Sequence, residues 1–412
     1  MPARFQAPRG TFDVLPDDEP PRVRLADAAR RLLGAAGYGR IETPVFEDTA
    51  LFARSVGEAT DVVRKEMFTF EDRGGRSITL RPEGTAPICR AYVERGMHTL
   101  AQPVKLWYLG PYFRYEAPQA GRYRQFNQLG AEAIGSDSPL VDAELIILLD
   151  ELMREVGVEA SELRLGSLGS PDARAAYREE LRGYLRAREA ELSREVRERI
   201  DENPLRAFDA ADPGTQAVVA EAPTMLERLA GDDAEHFAEV RALLDEAGVA
   251  YRLDPTLVRG LDYYTRTLFE FHSSALGAQS QIAGGGRYDE LIAELGGPPT
   301  PAAGWAAGIE RIVLAAADAP ERPRPDVFVA ATADGQRHRA FALATELRRA
   351  GLAAQADLSG RGLKGQLRHA DRIRARRVVI LEEDRSAKVR EMDSGAQRPI
   401  DPARAVEELS AR

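Results

Sequence analysis

The sequence predicts an α+β fold: an antiparallel sheet flanked by helices, interrupted by a helical insertion and followed by a separate C-terminal α/β unit. Three observations carry this reading. Strand-like stretches in the first half are joined by local loops, which suits antiparallel neighbours and argues against a doubly wound nucleotide fold. From residue 171 to 199 nearly every second residue is charged and no turn residue intervenes except Gly183. The run Ala-Pro-Glu-Arg-Pro-Arg-Pro at 319–325 is a stiff linker, because proline cannot continue a helix, and an alternating strand–helix pattern begins after it.

In chain order, PRGTFDVLPDD leads into a helix over residues 22–36, where Val23, Ala26, Ala29, Leu32 and Leu33 recur at helical spacing until Gly37 stops the run. A strand over 38–43 ends at Pro44. Strands over 65–71 and 77–81 flank Asp-Arg-Gly-Gly, a hairpin turn. Residues 104–115 and 124–134 form another pair across a loop rich in Gly, Pro and Arg. The charged block from 171 reads as exposed helix and, set between sheet segments, as an insertion. Sheet resumes over 251–271 and 278–286, and a Gly-punctuated helix is expected from Trp305 to about Ala317. Past the linker, 327–331, 353–358 and 377–381 read as strands and 336–350 and 362–372 as helices. The implied division is 1–169 and 231–318 as two parts of one domain, 170–230 as the insertion, 319–325 as the linker and 326–412 as the last domain.

Composition narrows the functional classes. The 412 residues carry 44% hydrophobic and 30% charged side chains, and no apolar run approaches the length of a membrane span. Four acids, Asp13, Asp17, Asp18 and Glu19, precede any apolar stretch, which does not fit a secretory or organellar leader, so a cytoplasmic location is expected. Cys89 is the single cysteine and the five histidines are scattered, so neither disulfides nor a protein-only metal site is expected. The net charge of −10 argues against a general nucleic-acid binder. Between residues 361 and 377, however, seven basic residues face one acid, a local field that suits either phosphate docking or a solvated helix face.

Three segments carry candidate chemistry. Phe113-Arg114-Tyr115-Glu116, followed by Arg122-Tyr123-Arg124-Gln125-Phe126, gathers guanidinium groups at a strand end and its loop, where they suit bidentate capture of phosphate or a plain solvent-facing hairpin. Gly304 and Gly308 at i and i+4 of the expected helix, with Arg311 beyond, suit close packing on a sheet beside a nucleotide. RGLDYYTRTLFEF (259–271) and GGGRYDEL (284–291) combine a charged aromatic turn with a triple glycine that permits close backbone approach or simply turns the chain.

Together these strings resemble the class II aminoacyl-tRNA synthetases, and within them the bacterial-type histidyl-tRNA synthetase family, over almost the whole chain. Residues 38–44 with the preceding helix resemble motif 1, the dimer-forming element; 113–116 with 122–126 and Gly130 resemble motif 2, and 304–311 motif 3. RGLDYYTRTLFEF and GGGRYDEL look like the histidine-specific signatures, and RPEGTA (81–86) like the substrate-amine loop. The resemblance implies a class II catalytic domain and a C-terminal anticodon-binding domain. It implies ATP as substrate with Mg2+, and L-histidine, tRNA(His) and a second copy of the chain as partners. It assigns catalysis to Arg259, Arg114 and Arg311, holding the triphosphate, and ATP binding to Arg114, Glu116, Arg122, Phe126 and Arg311. Histidine binding falls to Glu83, Thr85, Gln128, Glu132, Arg259, Tyr263, Tyr264 and Tyr288, with Glu132 and Tyr264 facing the imidazole nitrogens. Gln119 and Arg124 would meet the tRNA acceptor end, and the last domain would read the anticodon around 357–371.

The chain departs from the family pattern at Ala117, where arginine is common, at Asn127, where histidine is frequent, and at Glu382, where glycine is usual, with a shortened segment before Val389. The rival reading is the synthetase-like regulatory subunit of ATP phosphoribosyltransferase, which shares the fold, generally lacks the last domain and has eroded signatures. A third is a nucleic-acid-binding regulator that has lost activity.

Overall fold

The computed structural model describes residues 5–57, 60, 62–158, 161–258, 263–317, 320–383 and 386–411, with only the backbone of 278 and 279. Two compact units divide between Pro320 and Glu321.

The first unit opens with α1 (Glu19–Ala35), which buries Leu25, Ala28, Ala29 and Leu33 on one face, then β1 (Gly39–Arg40), β2 (Phe46–Asp48) and α2 (Thr49–Val56). The hairpin β3 (Phe68–Glu71) and β4 (Ser77–Leu80) pairs with β2 as a three-stranded sheet. Next come α3 (Thr85–Glu94), the long hairpin β5 (Val104–Phe113) and β6 (Gln125–Ile134), α4 (Pro139–Glu155) and β7 (Ser161–Ser167). The charged block folds as α5 (Pro171–Arg186), α6 (Arg194–Arg199) and α7 (Pro213–Val219). α8 (Gly231–Glu246), β8 (Arg252–Leu253), β9 (Thr265–Ser273), β10 (Gln281–Arg287), α9 (Leu291–Glu294), β11 (Ala302–Gly308) and α10 (Ile309–Ala315) complete the unit.

Its main sheet has eight strands in the order β1-β5-β6-β11-β10-β9-β7-β8. The six central strands are antiparallel, as expected, whereas β1 joins β5 and β8 joins β7 in parallel, so the sheet is mixed at both edges. Helices α1, α4, α8 and α10 cover one face through Leu25, Leu145, Leu149, Val240 and Ile312. α3 and α9 cover the other with Ile88, Tyr92, Leu291 and Ile292.

Several expectations need correction. Trp305 to Gly308 is not helix: Ala302–Gly308 is a central strand paired with β6 and β10, and the helix starts at Ile309. Ladder bonds on both sides outweigh the weak strand propensity of alanine and glycine. The strand expected over 38–43 contracts to Gly39–Arg40, that over 353–358 contracts to three residues, and residues 65 and 66 lie in a helical turn. The block 171–199 is not one exposed helix. It bends between α5 and α6 and buries Tyr177, Leu181 and Leu185 in a core of its own with Val196 and Ile200. The strand expected over 251–271 is two pieces, β8 and β9, and residues 259–262 lie outside the described ones.

The second unit comprises β12 (Val327–Ala331), α11 (Arg337–Arg349), β13 (Ala354–Ala356), α12 (Leu363–Arg372), β14 (Arg377–Leu381), β15 (Ala387–Glu391), β16 (Gln397–Ile400) and α13 (Ala405–Ser410). Its sheet runs β13-β12-β14-β15-β16, parallel through the first three strands and antiparallel beyond. α12 exposes Lys364, Arg368 and Arg372 and turns the buried Gln366 inward. The Gln366 amide accepts from Ala331 N at 2.9 Å and donates to Ala331 O at 3.0 Å, completing the end of β12. Gln366→Leu keeps the volume but strands both Ala331 groups. It is expected to destabilise this unit by about 1–3 kcal/mol, read as a shift in its urea transition.

Candidate active site

The cavity opens where β6, β10 and β11 end beside α10 and the β5–β6 loop. It measures about 270 Å3 and is lined by ten of the residues singled out from sequence: Glu83, Thr85, Arg114, Glu116, Arg122, Phe126, Gln128, Tyr263, Tyr264 and Arg311. Each guanidinium is aimed by the backbone or a carboxylate. Arg114 Nε donates to Pro82 O at 2.8 Å, and its head lies 5.6 Å from the centre of the Phe126 ring. Arg122 NH1 lies 3.4 Å from Glu116 Oε2. Arg311, on the first turn of α10, donates from Nε to Gly121 O at 3.1 Å and from NH1 to Gln281 O. Burial, then the charge of Arg122, push the Arg311 pKa down, with Glu116 opposing and Arg114 adding to the shift. Arg311 is thus a buried cation beside two others in the cavity lining, an arrangement that favours an incoming anion.

One layer below lie two residues that do not line the cavity, Glu132 and Tyr288. Glu132 is fully buried on β6. Its Oε1 accepts from Thr85 Oγ1 at 2.9 Å and Tyr108 OH at 3.3 Å, and its Oε2 from Tyr288 OH. Burial pushes this carboxyl up to about 8; the Tyr288 and Thr85 hydrogen bonds pull it down and the nearby Glu83 pushes it further up. Burial likewise raises Glu83, whose oxygens accept from Thr85 N at 2.7 Å and Ala86 N at 3.0 Å at the start of α3. Tyr263 packs at a tilt against Tyr264 at 4.7 Å and meets Tyr288 edge-on at 5.7 Å, closing an aromatic wall. Gln128 Oε1 is buried with no hydrogen-bond partner among the described residues, an acceptor left for a ligand.

The glycines explain how these side chains fit. A Cβ on Gly304 would lie 1.6 Å from Glu132 Oε2, so this glycine of β11 makes room for the carboxylate across the sheet. The Tyr108 ring occupies the space that a Cβ on Gly130 or Gly84 would take, at 2.2 and 2.6 Å.

Of the remaining sequence candidates, Gln119 and Arg124 sit away from the cavity lining. Gln119 is exposed on a tight turn closed against Arg122, and Arg124 stacks on the Tyr115 ring at 3.7 Å. Arg259 lies outside the described residues. Sequence reasoning missed two participants. Tyr108 supports Glu132, and only its alternation with Tyr112 on β5 hints at an inward face. Glu310 lines the cavity while accepting from Asn127 N at 3.0 Å, Asn127 Nδ2 at 2.9 Å and Arg22 at 3.1 Å, which binds β6 and α1 to α10. Its place beside Arg311 was the available signal.

A largely antiparallel sheet carrying anion-seeking arginines on a hairpin and on the helix after β11, in a chain that continues into a separate C-terminal α/β unit, is the architecture of a class II aminoacyl-tRNA synthetase. The family model for histidyl-tRNA synthetase matches residues 10–312, and that for the anticodon binding domain matches 326–412. The chain is 46% identical over 399 residues to a histidine–tRNA ligase of Thermosynechococcus vestitus, covering 95% of this chain and 93% of that one. It is 47% identical over 401 residues to that of Desulforamulus reducens, covering 95% and 96%. The solved apo histidyl-tRNA synthetase of S. aureus superposes with a TM-score of 0.83 at 34% identity, covering 99% of this chain and 100% of that one. The chain belongs to the histidyl-tRNA synthetase family.

Two outcomes follow from the cage around Glu132. Gly304→Ala must displace the carboxylate and is expected to abolish histidine-dependent pyrophosphate exchange while ATP still protects the cavity from proteolysis. Because the folded protein holds the Glu132 proton far above the value of about 4.3 for a free glutamate, that stabilisation is complete below about pH 4 and is lost as pH rises through about 8. Urea unfolding of the ligand-free protein across pH 5–9 should show this decline, and Glu132→Gln should flatten it.

Proposed function

We propose that the chain is a histidine–tRNA ligase that converts L-histidine and ATP into histidyl-adenylate and diphosphate, then passes the histidyl group to the 3′ end of tRNA(His) with release of AMP. The observation that carries this reading is the convergence of Arg114, Arg122 and Arg311 on one cavity, with the caged Glu132 one layer beneath its lining. In the first step the histidine carboxylate attacks the α-phosphorus and diphosphate departs. Charge builds on the phosphoryl oxygens, and fixed cations answer it better than a base. Arg114 takes the α-phosphate and Arg311 the γ-phosphate, while Arg259 is assigned the far side of the α-phosphate.

Glu83 and Thr85 receive the substrate ammonium, and Gln128 orients the carboxyl group. Glu132 and Tyr264 meet the two imidazole nitrogens, and Tyr288 closes behind them. An approaching imidazole N–H draws the Glu132 carboxyl back toward its charged form. A pocket of buried polar groups rejects side chains that leave those groups unpaired. Gln119 and Arg124 present the loop to the tRNA end, and α12 offers Lys364, Arg368 and Arg372 to the anticodon.

ATP arrives as its Mg2+ complex. Among the described residues no three acidic, histidine or cysteine side chains gather to hold a metal. Glu116, whose Oε2 has no hydrogen-bond partner although Arg122 is 3.4 Å away, is the carboxylate that fits a phosphate-held ion. Such an ion supplies neutralisation of phosphate charge. A homodimer in the cytoplasm completes the proposal, supported by exposed Val45, Phe46 and Phe70 around the three-stranded sheet and by the absence, among the described residues, of a helix long and apolar enough to cross a membrane. The regulatory-subunit alternative gains nothing from a site that retains these arginines and from a chain that carries an anticodon-domain match.

Exchange of labelled diphosphate into ATP, run with each standard amino acid, is expected with histidine alone; exchange with none would favour a regulator. Arg114→Ala and Arg311→Ala should each slow it by about 10²–10³-fold. Removing residues 326–412 should spare exchange and impair tRNA charging, and unimpaired charging would show that the last domain does not read tRNA.

A further inference from the structure

Two arginines of the histidine signatures, Arg266 and Arg287, belong neither to the phosphate cavity nor to the cage around Glu132. Arg287, at the end of β10, is fully buried. Its Nε and NH2 donate to Asp142 at 3.1 and 2.7 Å, and its NH1 to Asp289 at 3.0 Å and Ser136 O at 2.9 Å. The second oxygen of Asp142 lies 2.8 Å from His236 Nε2, and His236 Nδ1 lies 3.4 Å from Arg266 NH1. A guanidinium only donates, so Nδ1 accepts and the ring proton sits on Nε2, facing Asp142. One imidazole in a fixed tautomer thus joins the two signature strands.

Arg266 is also where the backbone is strained. Its φ of 45° lies in the left-handed region that a non-glycine residue seldom adopts, and such a conformation persists only where its surroundings over-determine it. Here they do. Its N–H donates to Gly169 O and its C=O accepts from Leu168 N, both at 2.7 Å, at the last residues before the helical insertion. Its Nε lies 3.2 Å from Asp233 Oδ1, in the first turn of the helix that follows the insertion. Asp233 Oδ2 in turn accepts from Ser170 N at 2.8 Å. Both crossings into the insertion therefore close on one residue, two positions after Tyr264.

We propose that Arg266 is a positioning residue that sets Tyr264 directly and Tyr288 through His236, Asp142 and Arg287, so that the seating of the helical insertion becomes part of histidine recognition. This rests on the reading of Tyr264 and Tyr288 as the imidazole wall. Histidine-dependent exchange by the wild-type full-length protein tests that reading, and the variants test the proposal. Arg266→Gly keeps the positive φ without strain and removes the guanidinium. Asp233→Asn is a nearly isosteric change on the insertion side, at a residue that does not line the cavity.

Each variant is expected to raise KM for histidine about tenfold while KM for ATP stays within about twofold, a split that a general loss of structure does not produce. Arg266→Lys, which keeps the charge toward Asp233, should recover part of the loss, and the double variant should be no worse than Arg266→Gly alone. An unchanged histidine KM in Asp233→Asn, effects that simply add, or parallel losses for histidine and ATP would each overturn the proposal. Should Arg266→Gly fail to fold, the Asp233→Asn result decides by itself.

Discussion

Like charges confined to one cavity are the constraint around which the catalytic unit is organised. Arg114, Arg122 and Arg311 would turn away from one another if their heads were free, because water solvates separate guanidinium groups better than a shared wall does. They are not free. Pro82 O holds the first, Glu116 the second, and Gly121 O and Gln281 O the third. The anchors come from three segments, the β4–α3 connection, the β5–β6 loop and the start of β10, so the aim of the cations depends on all of these and on α10 being in place. That repulsion is built into the ligand-free site, and an anion entering the cavity would relieve it without any rearrangement of the cations.

The layer beneath the cavity obeys a second constraint, that of space. A buried carboxylate with three hydroxyl donors is bulky, and β-sheet neighbours stand too close to accommodate it beside ordinary side chains. Glycine at 304 leaves the volume for Glu132, and glycines at 130 and 84 leave it for Tyr108. The shape of this layer is therefore set as much by missing Cβ atoms as by the side chains that fill it. The same economy explains why β10 and β11 consist largely of alanine and glycine, since both sheet faces at that point are taken by neighbouring side chains.

These features differ in how legible they are in sequence. The β5–β6 hairpin and the strand–helix alternation from Val327 to Leu381 announce themselves through periodicity and turn residues, and they fold as such. The stretch from Trp305 misleads because its alanines carry a helical propensity that only the strands on either side override. Glycine spacing there reports on Glu132 across the sheet and says nothing local. β15, β16 and α13 carry patterns too short or too polar to stand out. The grouping of the cavity residues came from resemblance to known motifs, whereas the ties made by Glu310 and Tyr108 exist only once distant strands meet. Asn127 shows the point in one residue: as a departure from the family's frequent histidine it looks like a loss, yet its amide and backbone both engage Glu310.

The charge of the whole chain is a poor guide to where it meets polyanions. At about 0.1 M salt, fields fade over about 10 Å, so a phosphate near α12 is governed by the exposed Lys364, Arg368 and Arg372 and hardly by a net of −10 summed over 412 residues. The excess acid lies elsewhere and has a use of its own. It weakens non-specific association with any nucleic acid backbone, leaving binding to the places where cations are fixed in position. A synthetase surrounded by many RNAs gains discrimination from that arrangement, because overall repulsion acts on every polyanion while fixed arginines and lysines favour only one that matches their spacing.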